Sequence, residues 1–536
     1  MNRPQEEFRE LCLDIVKQLG GLPLALRVIG ASLYGREIAF WEDKFCILKN
    51  NSLDKSISQK LKVSYDALDD HEKIVFLYIS CCFNGVYMDR AKMILDPFVF
   101  KSEPRLVTLM EKSLISMSNN TRLWVHDLVQ DMAKDIICEG KANKLWERQM
   151  MWNVKDVKSL LTENIGTKDI EIESILLNMA GETGFCINPT RFKRMISLKF
   201  LKIYSNFTDG GSKVCMVDNF DYLPPLRYLH WEAYSLKYLP SNFKTDYFVE
   251  INLSDSSVET LWSECQELGN LRHLKLNRCR NLIEIPDLSK TRSLECLCLC
   301  FCESLVELHS SLGDLDKLVT LSMNHCKKLK NLPCNIYLKS LKTLKLDGCT
   351  NIQEFPLVSN NIETLGLSFT SIEVVPDSIN RLSKLMELRL SYCKRLKNLP
   401  DTIGCLDSLV HLTLANSPNV TVFPVLGNRV KILSLNGTAI EQVPSSIGEK
   451  MNLSCLDMSE CKRLQNLPHT LSKVKTLRFL NLRGCININE ILHVPGEMRR
   501  FDLYGTLIEK NGDLSEEELH KRDMSENTRK NGTLDS

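Results

Sequence analysis

Leu271-Arg272-His273-Leu274-Lys275-Leu276-Asn277-Arg278-Cys279-Arg280-Asn281-Leu282-Ile283-Glu284-Ile285-Pro286 is the stretch that decides the fold. Leu271, Leu274, Leu276, Leu282 and Ile285 form an aliphatic frame with Cys279 set inside it. The frame restarts at Leu294, Leu318, Leu341, Ile362, Leu385, Leu409, Val430, Leu453, Leu477 and Met498, and looser copies begin at Leu226 and Phe248. Successive starts lie 21 to 24 residues apart. One such unit is too small to bury its apolar edge alone, so the units must stack. The expected architecture is an α/β leucine-rich-repeat solenoid, a horseshoe. Its rungs, at about 4.8 Å each, would extend about 50–60 Å along the arc.

The frame also assigns faces. Side chains alternate across a strand, so the frame leucines point inward and the residues between them point outward. The ninth position carries Cys279, Cys302, Cys326, Cys349, Cys393, Cys461 and Cys485, or Thr370, Thr438 and Thr506. A small S–H donor there can bond neighbouring backbone carbonyls. Threonine copies are one residue shorter before the next aliphatic. Of the outward residues, Arg272, His273, Lys275 and Arg278 read as a basic rung, followed by Lys342 and Lys345, then Arg389 and Tyr392, then Phe479 and Arg483. Arginine and aromatic residues are the types that anchor interfaces. The expectation is a protein-binding concave face.

Composition narrows the function classes. With 68 basic and 67 acidic residues among 536, the chain is close to neutral, which argues against a dedicated nucleic-acid binder. Of its 21 cysteines, seven fill one interior repeat slot, as expected of free thiols in a reducing compartment. The polar first ten residues and the lack of a long apolar run predict neither a signal peptide nor a membrane span. Cys296-x-Cys298-x-Cys300-x-Cys302 invites a metal reading, but alternate residues of one strand lie about 6.6 Å apart. Zn–S bonds of about 2.3 Å cannot be closed that way. These cysteines read as three outward thiols and one inward rung, with no metal. No catalytic constellation is evident, and the chain is expected not to be an enzyme.

The first 140 residues have a different texture. Helical periodicity runs through Phe8–Leu19, Leu24–Leu33, Ser56–Leu68, Glu72–Cys82, Met88–Leu95 and Pro104–Lys112. A strand pair follows around Leu114–Ser116 and Leu123–Val125, then a helix over Asp127–Ile137. Short helices with a hairpin before the last one suggest a winged helix.

Gly21-Leu22-Pro23-Leu24-Ala25, Trp41, Phe76-Leu77-Tyr78-Ile79-Ser80-Cys81-Cys82-Phe83 and Val125-His126-Asp127-Leu128 follow one another in an order that resembles the C-terminal half of the nucleotide-binding (NB-ARC) module of plant intracellular immune receptors. Leu226-Arg227-Tyr228-Leu229-His230-Trp231 and Leu239-Pro240-Ser241-Asn242-Phe243 resemble the first repeats of the class that carries a TIR domain. The resemblance covers residues 1 to about 510. It implies ADP contacts from Pro23 and, at the β-phosphate, from His126, with Asp127 capping the next helix. Val125 replaces the usual methionine. Tyr78 replaces an acidic residue, and a polar contact is expected to be lost there.

No Gly-x-x-x-x-Gly-Lys-Ser/Thr occurs, so this chain reads as a member truncated at its N-terminus, lacking phosphate loop and TIR domain. Without the backbone N–H cradle, ADP or ATP should bind weakly. The implied organisation is a helical ARC-type subdomain over 1–55, a winged-helix ARC-type subdomain over 56–140, a connector and cap over 141–195, the solenoid over 196–510, and a disordered polar tail over 511–536. The implied function is recognition of a pathogen effector or effector-modified host protein, with the solenoid contacting and restraining the N-terminal module. A receptor-derived adaptor or decoy without nucleotide switching is the alternative. Cytoplasmic residence, extending to the nucleus, is expected. A winged-helix DNA binder fits poorly, because residues 60–140 lack a strongly basic recognition helix.

Overall fold

The computed structural model describes residues 6–508 except 20–22, 51–56, 98–100, 119–120, 140–144, 163–169, 181–184, 206–214, 217–219, 241, 244–245, 263–264, 334–337, 357–358, 491–494 and 496–497. The expected tail over 511–536 and the expected boundary at 55–56 lie outside them. The chain divides into two compact units, residues 1–230 with 242–244, and 231–241 with 245–536.

The first unit opens with helices α1 (Glu6–Gln18), α2 (Pro23–Leu33), α3 (Ile38–Asn50) and α4 (Ile57–Asp66). Next come α5 (Asp70–Cys82), α6 (Met88–Leu95), α7 (Ser102–Glu111), an antiparallel hairpin and α8 (Asp127–Cys138). A capping box starts α5: Asp69 accepts from the Glu72 N–H at 2.6 Å and Glu72 accepts from the Asp69 N–H at 3.0 Å. Val75 to Ile79 are all buried, so α5 is the core helix, apolar around most of its circumference. The hairpin pairs Ser116–Ser118 with Arg122–Trp124, later on its first strand than the apolar pattern suggested. Leu114 and Ile115 instead fold back onto α7, each donating its N–H to the Leu109 carbonyl. Burial there outweighed their strand propensity.

A parallel ladder follows in the same unit, from Met150–Met151 through Ser174–Asn178 to Phe200–Tyr204. Helix α5 packs on it. Tyr78 donates its phenol proton to Glu173 at 3.1 Å, and Cys82 meets the Ser174 hydroxyl at 3.4 Å. Phe83 stands edge-on to Phe200 at 5.4 Å, and Phe200 stacks on Tyr228 at 4.2 Å. The tyrosine at 78 thus makes a polar contact of its own inside this unit. Burial, then the Glu173 carboxylate, push its phenol well above the ordinary range, so it stays a donor.

The second unit is built on parallel three-residue strands running from Glu250–Asn252 to Arg500–Asp502, one per repeat. Their central residues form one column: Ile251, Leu274, Leu297, Leu321, Leu344, Leu365, Leu388, Leu412, Leu433, Leu456, Leu480 and Phe501. Where a repeat has room between strands, the return is a short 3-10 turn, as at Asp377–Arg381 and Asp401–Cys405.

The ninth position works as two interchangeable devices. Cys279, Cys302, Cys326, Cys349, Cys393, Cys461 and Cys485 each give their S–H to a carbonyl of the preceding rung at 3.0–3.2 Å. Ser417, not foreseen in this role, does the same toward Leu390. Thr370, Thr438 and Thr506 instead bond a carbonyl of their own rung, at 2.7–2.8 Å. The next amide then crosses to the preceding rung: Ser371 to Ile352, Ala439 to Val420, Leu507 to Ile488. The missing residue of the threonine copies brings that amide within reach.

Every described cysteine is a free thiol. Burial pushes the Cys279 and Cys485 thiols up to about 12, and those of Cys393 and Cys461 in the same direction. Unfolded thiols titrate near about 8.5, so the folded state favours the protonated form. Stability should be full below that pH and fall as pH rises toward about 12. Alkylation at neutral pH should label exposed Cys265 and Cys405 while sparing the interior set. A urea midpoint that stays flat between about pH 8 and about pH 10.5 would contradict this linkage.

Candidate recognition surface

Each rung must turn sharply to bring its ninth residue inward, and it does so through a left-handed eighth residue. Arg278, Phe301, His325, Phe369, Tyr392, Asn416 and Glu460 have φ between 54° and 63°, a region non-glycine residues seldom adopt. Aligned at one edge of the strands, these residues form a second column. Phe301 stacks on His325 at 4.5 Å and Phe369 on Tyr392 at 4.3 Å, nearly parallel in both cases. Elsewhere a large residue leans over a left-handed glycine of the next rung, His325 over Gly348, Asn416 over Gly437 and Glu460 over Gly484. A β-carbon on any of those glycines would collide with the overlying side chain. Phe301, Phe369 and Tyr392 remain 41–47% exposed, an apolar edge beside the polar strand face.

The outward strand face is less basic than its sequence suggested. Arg278 is held bidentately by Asp255, both N–O distances being 2.6 Å. Lys275 reaches the fully buried Glu250 carboxylate at 3.0 Å, and His273 lies 3.6 Å from it. Arg272 pairs with Glu295 at 3.6 Å and Lys342 with Glu363 at 2.9 Å. Arg389 lies between Glu387 and Asp347, at 3.5 and 3.7 Å. Most partners sit one repeat away, a signal visible only when successive copies are aligned. Arg272 and Arg278 also flank the His273–Lys275 strand rather than lying within it.

Lys345 has no ion-pair partner among the described residues, and it faces Gly366 across the ladder. Phe479 carries the Arg500 guanidinium over its ring at 5.5 Å, and Arg483 covers Tyr504 at 4.9 Å. Of the aromatic column, the repeat frame placed Tyr392 outward but not Phe301 and Phe369, which lie just past their strands.

In the first unit, Pro23 is the first residue of α2. Its side chain, with Gly21 and Leu22, lies outside the described residues. His126 is exposed and caps α8 itself, its Nδ1 accepting from the Leu128 N–H at 3.2 Å. Asp127 is therefore the first helical residue, not the cap. Because Nδ1 accepts, Nε2 carries the proton and is a donor, suited to a phosphate oxygen. No group of three or more His, Cys, Asp and Glu among the described residues is placed to hold a metal ion.

Residues 69–140 match the family model described as the winged-helix domain of Roq1-like disease resistance proteins. Disease resistance protein RPS6 of Arabidopsis thaliana is 35% identical across 91% of this chain and 47% of its own length. Disease resistance protein RPP2B of the same plant is 37% identical across 76% of this chain and 34% of its own. The chain belongs with the plant disease resistance proteins. It spans about half or less of the length of these relatives. Among solved structures, the leucine-rich-repeat protein LIC12759 of Leptospira interrogans superposes with a TM-score of 0.50 at 22% identity, over 71% of this chain and 89% of that one. This likeness supports the solenoid fold alone. No helix among the described residues is long and apolar enough to cross a membrane.

Proposed function

We propose that this disease-resistance-type chain recognises a pathogen effector, or a host protein modified by one, through the outward face of its solenoid. It acts by binding rather than catalysis, in the cytoplasm and nucleus. The stacked aromatic column beside the strand face carries this reading, since rigid, half-exposed aromatics on a fixed scaffold are what binding hot spots are made of. Phe369→Ala and Tyr392→Ala should leave folding intact and each weaken partner binding by about 2 kcal/mol. Recognition-triggered cell death that persists in the double variant, within a receptor carrying this segment, would refute the assignment.

We further propose that the N-terminal helices belong to a nucleotide switch in which His126 Nε2 donates to a phosphate of ADP and the start of α2 at Pro23 borders the base. The same reading includes restraint of that switch by the repeats. The sequence supplies no phosphate cradle, so ADP should bind this 536-residue chain more weakly than about 100 μM. Sub-micromolar affinity by calorimetry would overturn that expectation.

A further inference from the structure

Among the described strands, only Cys296–Cys298 carries thiols at both outward positions. Its middle residue, Leu297, is buried, while the two cysteines are part-exposed on one face. Their Sγ atoms lie 3.5 Å apart. His273 and Thr320 flank Cys296 in register, and Lys275 and Ser322 flank Cys298. Cys300, the third outward thiol, is engaged elsewhere, its Sγ 3.1 Å from the Ser322 hydroxyl. The interior thiols each spend their proton on a carbonyl, whereas these two face each other.

We infer that Cys296 and Cys298 are a reversible redox pair, oxidised by peroxide to an intrastrand disulfide and restored by a dithiol. Alternate residues of an extended strand have Cα atoms about 6.6 Å apart, inside the span of about 4.4–6.8 Å that disulfides bridge. Side-chain rotation must bring the sulfurs from 3.5 Å to about 2.05 Å. A bond at the wide end of that span is strained, and strained, accessible disulfides are the easily reduced, regulatory kind.

The hydrogen bond with Cys296, then burial, hold the Cys298 thiol above its ordinary range, with Lys275 opposing. Either thiol can open the reaction; with Cys296 as nucleophile, Cys298 is the resolving thiol. The Cys296 thiolate attacks one peroxide oxygen, the O–O bond breaks, and the departing hydroxide leaves as water, giving a sulfenic acid. Cys298, losing its proton, attacks that sulfur and expels hydroxide, which takes the proton as a second water. Two thiols and one hydrogen peroxide become one disulfide and two waters. The disulfide removes two S–H groups beside His273 and Lys275, altering the outward face without touching the core.

The test treats the whole chain with hydrogen peroxide, blocks residual thiols with an alkylating agent and maps the peptide spanning Ser293–Lys317 by mass spectrometry. The expected result is loss of two hydrogens, located between Cys296 and Cys298 and regained with dithiothreitol. Cys300→Ser should preserve it. Cys298→Ser should leave a Cys296 sulfenic acid that dimedone traps. No link at peroxide doses that oxidise Cys265 and Cys405, or a link engaging Cys300, would overturn the inference, as would a link surviving in Cys298→Ser.

Discussion

Leu390→Asp is expected to destabilise the solenoid by about 3–5 kcal/mol. Leu390 is fully buried, as are Leu367 and Leu414, its equivalents in the adjacent rungs. Its backbone bonds Thr413 on one side, and its carbonyl accepts from the Ser417 hydroxyl. A carboxylate there would have no cation within the aliphatic column. Solenoid stability is approximately a sum over neighbouring units, so protection against hydrogen exchange should fall first in the rungs on either side. Arg389→Ala is the control. Its ion pairs at 3.5–3.7 Å are partly exposed, and their removal should cost no more than about 0.5 kcal/mol. Equal protection loss in both variants would mean that the inward and outward faces are misassigned.

Phe200→Ala should have a comparable effect on the first unit, about 3–5 kcal/mol. Phe200 is 1% exposed, with Phe83 standing against its edge and Tyr228 stacked on its face. Its removal opens a cavity between α5 and the parallel strands, where aromatic packing ties the winged helix to them. Amides of α5 should lose protection, while those of the Ile432–Ser434 and Cys455–Asp457 strands keep theirs. Protease sensitivity of residues 70–138 measures the same opening. An unchanged unfolding midpoint would show that Phe200 does not join these elements.

The repeat was legible because each frame position has one physical task. Leu388 and Leu390 could be placed inside from spacing alone, and Cys393 in its turn. Charge was not legible in the same way. Arg278 looked like free basic surface because its partner Asp255 lies one repeat upstream, and strand alternation says nothing about the neighbouring rung. Arg278 and Tyr392 were placed outward, but the left-handed column they belong to escaped, because residues such as Phe301 and Phe369 are poor candidates for positive φ; only the rung's sharp inward turn forces them there. At His126 the sequence supplied the residue, and the structure added the tautomer-setting bond to Leu128.

The two devices at the ninth position bear on how such surfaces diversify. The Leu367 carbonyl accepts from both Thr370 and Cys393, and the Leu435 carbonyl from both Thr438 and Cys461. A cysteine rung therefore finds the same acceptor whether a threonine or a cysteine rung precedes it. Whole rungs can be duplicated, deleted or exchanged by unequal recombination without redesigning the interior. Each such event would shift every downstream contact by one strand spacing, so a lineage could explore new recognition geometries through copy number, leaving point mutation to tune the exposed edge.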